Sequence, residues 1–338
     1  MKKVVALNAS GIAAGAVALL LVVASTATAA VLWHGFADWV PQAGGNPVFE
    51  SGAPGAWDEH IRERMAIIYD NGMYKAWYGG WQGTYNKTVP NQLKMGYATS
   101  PDGIHWTKHP TPVYWGSWTE DLCIVKSGDT FYMYAEDESN NKTVVDLLTS
   151  GDGINWTNRG HVLERPGSWL GTPLVWKESS KWYMLFEDAP AVIKLITSSD
   201  GIHWQPQNEA VASDIPGAVG PSSILKRDGT YYLFFTQSMG ARWSDGIAQS
   251  TDLVHWTPYS GNPLLDGKAT SAVVLETPTQ YVLYGWNDDS TTAGGSQYRL
   301  YTSAKTAPEP SCAALLGAAM IGLAVYGQWK RMQRRKES

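Results

Sequence analysis

Cysteine is almost missing: two occur in 338 residues. A disulfide framework is therefore excluded, and with Cys312 in a terminal targeting segment, Cys123 is left alone as a small core hydrophobe of an expected inner strand. No Gly-rich loop opens a helix, no cysteine pair has zinc spacing, and no Ser, His and Asp stand in a triad context, so phosphate-loop, zinc and serine-nucleophile chemistry have no motif here. Between the termini no segment has a helical period. Basic residues are also scarce. Setting aside seven Lys and Arg and two Glu near the ends leaves 19 positive against 29 negative charges. A net charge near −10 opposes nucleic acid, whose phosphates demand a basic face, and is compatible with neutral sugars.

Repetition is what the chain has in abundance. Ser100-Pro-Asp102-Gly103-Ile-His105-Trp106 returns as Ser150-Gly-Asp152-Gly153-Ile-Asn-Trp156, Ser198-Ser-Asp200-Gly201-Ile-His203-Trp204 and Ser250-Thr-Asp252-Leu-Val-His255-Trp256, the serines lying 50, 48 and 52 residues apart. A fifth copy begins with Ser303, 53 residues on, and breaks off. Its missing half stands near the other end, where Trp39-Val-Pro-Gln-Ala-Gly-Gly45-Asn46-Pro47 reads like Trp256-Thr-Pro-Tyr-Ser-Gly261-Asn262-Pro263. Self-similarity at this period marks a propeller or array. Borrowing one strand from the opposite terminus closes the ring and removes the open edge. The expected fold is all-β, a five-bladed β-propeller closed by an N-terminal strand. Aromatic runs at 181–186, 231–235 and 281–284 supply strands, and Asp228-Gly229 and Asn71-Gly72 supply hairpin turns. Within each copy Ser and Asp cap the turn, Gly takes the positive φ, and Trp packs between blades. A catalytic group has no reason to recur in every blade, so Asp102, Asp152, Asp200 and the histidines of the same phrase are expected as scaffold.

The termini read as targeting segments. Lys2 and Lys3 precede an uncharged stretch ending Ala27-Thr28-Ala29, which gives a signal peptide over residues 1–30 and an exported chain. The propeller domain is expected over 31–306. In 307–338, Pro308-Glu309-Pro310 is followed by an uncharged stretch from Cys312 to Trp329, slightly short for a bilayer span, and then by a basic tail. This order resembles the PEP-CTERM sorting signal of Gram-negative bacteria, which implies signal peptidase and an exosortase as processing partners, transient membrane anchoring, and a destination in the periplasm, at the outer surface or in the extracellular matrix. A plain C-terminal membrane anchor is the other reading.

The phrase at 96–106, the Tyr74-Lys-Ala-Trp-Tyr-Gly79 before it, and the Asn-Pro pairs at 46–47 and 262–263 resemble the five-bladed propeller glycoside hydrolases, family 43 above all, with families 32, 62, 68, 117 and 130. Sialidases also carry a Ser, Asp, Gly and Trp box, but with one residue between Asp and Gly and with six blades. The resemblance implies a carbohydrate substrate, no required cofactor, and a possible calcium or sodium ion in the axial channel whose ligands the sequence does not name. It also implies an Asp base in blade one, a tuning Asp in blade two and a Glu acid in blade three. Asp121 matches in blade two. Blade one has Arg64 at the equivalent point, with Asp58 and Glu63 displaced around it, and blade three has Gly171-Thr172-Pro173 in place of Glu-Gly-Pro.

Glycoside hydrolysis uses two carboxyl groups flanking the scissile bond. Glu136 and Glu187 end equivalent second strands beside aromatic residues that would raise a carboxyl pKa. Glu187 is the expected acid, Asp58 or Glu63 the base and Asp121 the tuner. Trp57, Trp81, Trp118, Trp169 and Trp243 are expected platforms for sugar faces. Arg64, with Arg62, either binds an acidic sugar or phosphate or neutralises the nearby acids. Two functions stay open: an exported glycoside hydrolase, and a noncatalytic glycan-binding propeller of an exopolysaccharide matrix.

Overall fold

In blades one to four a Ser-Asp turn links the third strand to the outermost part of the same blade, and in the computed structural model the repeat produces five antiparallel sheets. Described are Trp33, Phe36 and residues 39–139, 143–165, 169–188, 192–205, 210–211, 215, 218–238, 243–267, 270–288 and 296–304. The expected signal peptide and sorting signal lie outside them. Among the described residues no helix is long and apolar enough to cross a membrane. The propeller is the unit Ala37–Ser303.

In blade one, His60–Ile61 and Ala66–Asp70 both pair with Met73–Trp81, followed outward by Lys94–Ser100 and Thr107–Lys108. Blade two runs Glu120–Ser127, Thr130–Asp137, Val144–Ser150 and Thr157–Glu164; blade three runs Leu170–Glu178, Lys181–Asp188, Val192–Ser198 and Ala210–Val211. Blade four runs Ala218–Arg227, Thr230–Ser238, Trp243–Ser250 and Thr257–Pro258. Blade five takes Thr270–Glu276, Gln280–Asp288 and Ser296–Ala304 from one end of the chain and its outer edge from the other. Val40 and Pro41 pair with Thr302 and Tyr301, and Pro47 to Glu50 pair with Arg299 to Gln297. The ring is closed as the repeat requires.

The recurring phrase is a joint between blades. Ser100 Oγ accepts the Gly103 N–H at 2.8 Å, and Asp102 Oδ1 accepts the N–H groups of Ile104 and His105 at 2.9 and 2.8 Å. The other Asp102 oxygen meets His105 Nδ1 at 2.7 Å. The glycine carbonyl then accepts a hydrogen bond from the preceding blade: Trp77 Nε1 to Gly153 at 2.7 Å, Tyr134 Oη to Gly201 at 2.7 Å and Tyr284 Oη to Gly103 at 3.0 Å. These glycines have φ near +80°, and a Cβ on Gly153 would stand 2.8 Å from the Trp77 ring. Glycine is thus required by backbone and by packing alike. Blade four departs in a matched way. Leu253 replaces glycine there with φ +68°, and the residue facing it at the equivalent second-strand position is Leu185, which has no polar donor. The motif tryptophans follow the same rule, Trp156 packing on Trp77 and Trp204 on Tyr134 at 6.1 and 6.0 Å.

At one end of each inner strand an extra residue bulges from the ladder, as the register shifts in blades two to five record. Asp121, Thr172 and Ser271 hold this position with φ of +47°, +49° and +56°, and Arg64 takes the matching place in blade one with φ +57°. In blade four the place falls to Pro221, whose ring forbids positive φ. Bulges re-aim side chains, and here the bulge side chains line the mouth of the axial cavity.

Candidate active site

The inner strands enclose a cavity of about 270 Å³ whose mouth is formed by Arg64, Asp121, Thr172, Pro221, Ser222 and Ser271 and whose walls are mostly aliphatic. Arg64 crosses that mouth from blade one. Its Nε lies 3.4 Å from Asp121 Oδ2 of blade two, Nη1 donates to the Pro221 carbonyl at 2.8 Å, and Nη2 donates to Thr236 Oγ1 of blade four at 3.0 Å. Buried carboxyl groups surround this one guanidinium. Asp121, Glu136, Glu187 and Asp245 are 9%, 1%, 5% and 0% exposed, and Arg64 favours the ionised form of each. A single cation cannot offset four buried anions, so burial keeps protons on the cluster.

Each group has its own setting. Burial raises Asp121, with Arg64 opposing and Glu63 and Glu120 adding to the rise; its Oδ1 has no hydrogen-bond partner among the described residues. Glu136 is raised well above the carboxylate range by burial and then by Asp121 and Glu120. Its Oε2 accepts the Thr172 N–H at 2.9 Å. The carboxylate lies against Gly171, where a Cβ would stand 2.4 Å from that oxygen. Gly171 therefore makes room for Glu136 at the place where the resemblance expected a blade-three acid. Glu187 is pushed up to about 7 by burial, against Arg64 and with Asp121. Burial also pushes Asp245 up to about 7, opposed by the Ala272 N–H, Arg64 and the Ser271 N–H. Those N–H groups face Asp245, but neither of its oxygens has a partner at hydrogen-bonding geometry.

Asp245 is the residue that reading the sequence missed. It is paired with Thr236 in the register, where the other blades pair Gly79 with Met95, Glu136 with Val145 and Glu187 with Ile193. Met95, Val145 and Ile193 are buried hydrophobes. An aspartate in a hydrophobic slot of aligned repeats was the available signal.

The other expected site residues divide. Glu63, next to Arg64 in the chain but not lining the cavity, lies 3.0 Å from Arg62 Nη1, with its side chain 21% exposed and its charge acting on Asp121. Asp58 is drawn elsewhere: Lys108 Nζ and Tyr78 Oη reach its Oδ2 at 2.7 and 3.0 Å, tying blade one's first loop to its outermost strand. Arg62 is shared by Glu63 and Glu120, and Tyr85 and Trp118 donate to Glu120 at 2.7 and 2.6 Å. Burial would raise Glu120, but these partners hold it below the ordinary range. Trp118 is therefore an inward structural group, 2% exposed, and no platform. Trp57 lies half-buried on Tyr78 at 5.8 Å, and Trp81 stacks on His60 at 5.2 Å. Trp169 and Trp243 are exposed, at 37% and 54%; Trp169 directly precedes the strand Leu170–Glu178 and Trp243 opens the strand Trp243–Ser250, at the ends of their blades nearest Glu187 and Thr236. Trp169 also donates to Glu138 at 3.0 Å, and Glu138 pairs with Lys87 of the blade-one loop, linking three blades along the rim.

The implied axial ion does not fit these residues. The mouth carries a guanidinium, the walls are mainly hydrocarbon, and among the described residues no three His, Cys, Asp or Glu side chains are grouped to hold a metal. Cys123 faces this channel and is partly exposed to it, not sealed in the core. Its sulfur accepts the Val175 N–H at 3.1 Å, and burial pushes the thiol up to about 11.

No family model matches the chain. It is 26% identical over 155 residues to a sucrose-6-phosphate hydrolase of Escherichia coli, covering 41% of this chain and 31% of that protein. It is 30% identical over 133 residues to a 1,2-beta-oligomannan phosphorylase of Thermoanaerobacter sp. (strain X514), covering 36% and 44%. The matches thus span less than half the length of either relative. A solved structure from the GH130 family of mannoside phosphorylases, which contains glycoside hydrolases targeting beta-1,2 mannosidic linkages in Candida mannan, superposes with a TM-score of 0.61 at 15% identity, over 80% of this chain and 96% of the other. The fold is that of the propeller glycosidases. Its neighbours include both hydrolases and phosphorylases.

Proposed function

We propose that this protein is an exported glycoside hydrolase that cleaves a neutral glycan with Glu187 as general acid. The observation that carries the reading is the cluster of buried carboxyl groups around Arg64, in which Glu187 combines burial, a pKa of about 7 and no hydrogen-bond partner among the described residues. A general acid needs a proton at neutral pH and freedom to deliver it. In the reaction Glu187 protonates the leaving glycosidic oxygen, Glu63 takes a proton from the attacking water, and the water oxygen bonds to the anomeric carbon as the leaving oxygen departs. Asp121 holds Arg64 in place between them. The exposed Trp169 and Trp243 suit the flat apolar faces of a longer glycan.

Water is favoured over phosphate as the acceptor. Glu63, Glu120, Asp121, Glu136, Glu187 and Asp245 face Arg62 and Arg64, and both guanidinium groups are already engaged. An incoming phosphate dianion would find neither guanidinium free to offset its charge in a low-dielectric site. Export with removal of an N-terminal signal peptide by signal peptidase, and processing of a C-terminal sorting signal by an exosortase, rest on the terminal sequences alone; cell fractionation checks them.

A noncatalytic glycan-binding propeller is the second reading. Arg64 in the place of the blade-one base and Gly171 in the place of the blade-three acid favour it. Screening the purified protein against arabinan, xylan, galactan, fructan, mannan and bacterial exopolysaccharide, with and without phosphate, separates the two. Reducing ends released without phosphate, and lost in Glu187→Gln with binding retained, are the expected result. Binding without cleavage moves the protein to the second reading, and sugar phosphate as product defeats the hydrolytic one.

A further inference from the structure

The repeat makes Glu136 and Glu187 directly comparable. Each sits on the second strand of its blade, opposite the residue that precedes the bulge, Glu120 for one and Gly171 for the other. Glu136 is docked on the next blade: the bulge residue Thr172 donates its N–H, and the carboxylate lies over Gly171. One blade further on, Gly220 stands in the place of Gly171 and Pro221 in the place of Thr172. Proline has no N–H to give. The atoms nearest the open face of Gly220 are Thr172 Oγ1 and Arg64 Nη2, at 2.7 and 3.0 Å from a Cβ built there, and not the carboxylate of Glu187. Glu187 is 5% exposed, yet among the described residues it has no hydrogen-bond partner.

We infer that Pro221 is a positioning residue: by withholding the backbone donor that Thr172 gives to Glu136, it keeps Glu187 undocked and free to carry a proton into the funnel. The inference rests on the proposed role of Glu187, although its titration stands apart from any activity. A backbone N–H bonded to a carboxylate favours the ionised form. Without that bond burial dominates, and the charged groups acting on Glu187 are Arg64 of blade one and Asp121 of blade two. Arg64 is held by the carbonyl of residue 221, which any substitution retains.

Pro221→Ala and Pro221→Gly restore the N–H, and both residues accept the backbone geometry of proline. The test is a set of thermal melts from pH 5 to 9 on wild type, Glu187→Gln, each Pro221 variant, and each Pro221 variant combined with Glu187→Gln. A carboxyl whose folded pKa is raised lowers stability as pH climbs, so wild type should lose stability relative to Glu187→Gln from about pH 4 upward, the loss levelling off at the midpoint of Glu187 ionisation in the fold, near pH 7. In either Pro221 background that midpoint should fall by at least one pH unit, and the alkaline limb of kcat/KM on a cleaved glycan should fall with it. A midpoint that stays in place in both backgrounds overturns the inference. A midpoint that moves in a protein that cleaves no glycan upholds Pro221 and defeats the hydrolase reading, so the two failures are distinguishable.

Discussion

Single side chains decide the chemistry of this funnel, and their partners come from blades far apart in sequence. Asp58 and Glu63 are five residues apart and equivalent as candidate bases in the sequence, yet Lys108 and Tyr78 claim the first while the second pairs with Arg62 and acts on Asp121. Nothing in local spacing announces a partner 50 residues away. Trp118 was misjudged for the same reason, since aromatic content does not say which way an indole turns, and this one donates inward to Glu120. Asp245 carries a prediction of its own. Its folded pKa of about 7 exceeds the ordinary aspartate value, so the stability it contributes is full below about pH 4 and is lost as pH rises through 7. Asp245→Asn keeps an acceptor toward the Ser271 and Ala272 N–H groups and cannot ionise. Between pH 5 and pH 8 it should gain on the order of 3 kcal/mol over wild type, visible as several degrees in melts at the two values. Parallel pH dependence in the two proteins would show that folding leaves the Asp245 pKa where it is in the unfolded chain.

At the scale of elements the sequence was most legible. The Ser-Asp-Gly-Trp phrase marked the turns and the outer strands because its job is local: two side chains cap a turn, a glycine bends it, and the Trp lies against the neighbouring sheet. Less legible was the reason for the glycine, which is also the seat of an aromatic donor from the previous blade. Gly153 and Gly229 separate the two demands. Both have φ near +80°, but a Cβ at Gly153 meets the Trp77 ring at 2.8 Å, whereas at Gly229 nothing lies within 4 Å. Gly229→Ala should cost about 1–2 kcal/mol for the left-handed backbone. Gly153→Ala should cost about 2–5 kcal/mol, because overpacking adds to the strain. Equal losses on denaturant unfolding would remove the inter-blade joint from this account. The bulges were legible only in part, since Asp121 and Arg64 could be placed at equivalent points by resemblance while the shared bulge with Thr172 and Ser271 needed the register.

On the scale of the whole molecule, blade count and ring closure followed from the periodicity and from the match between the two ends, because a propeller must leave no open edge. Which carboxyl groups converge did not follow, since convergence is a property of the closed ring and not of any repeat. The central claim is that convergence at Arg64 leaves Glu187 as a proton donor. Once a cleaved glycan is known, the direct measurement compares Glu187→Gln with wild type on that glycan and on a dinitrophenyl glycoside of the same sugar, whose leaving group departs without protonation. A general acid is worth about 10²- to 10⁴-fold. The account predicts that kcat/KM on the glycan falls by such a factor while the activated glycoside is cleaved within about tenfold of wild type, and an equal loss on both substrates, or no loss on the glycan, would contradict it.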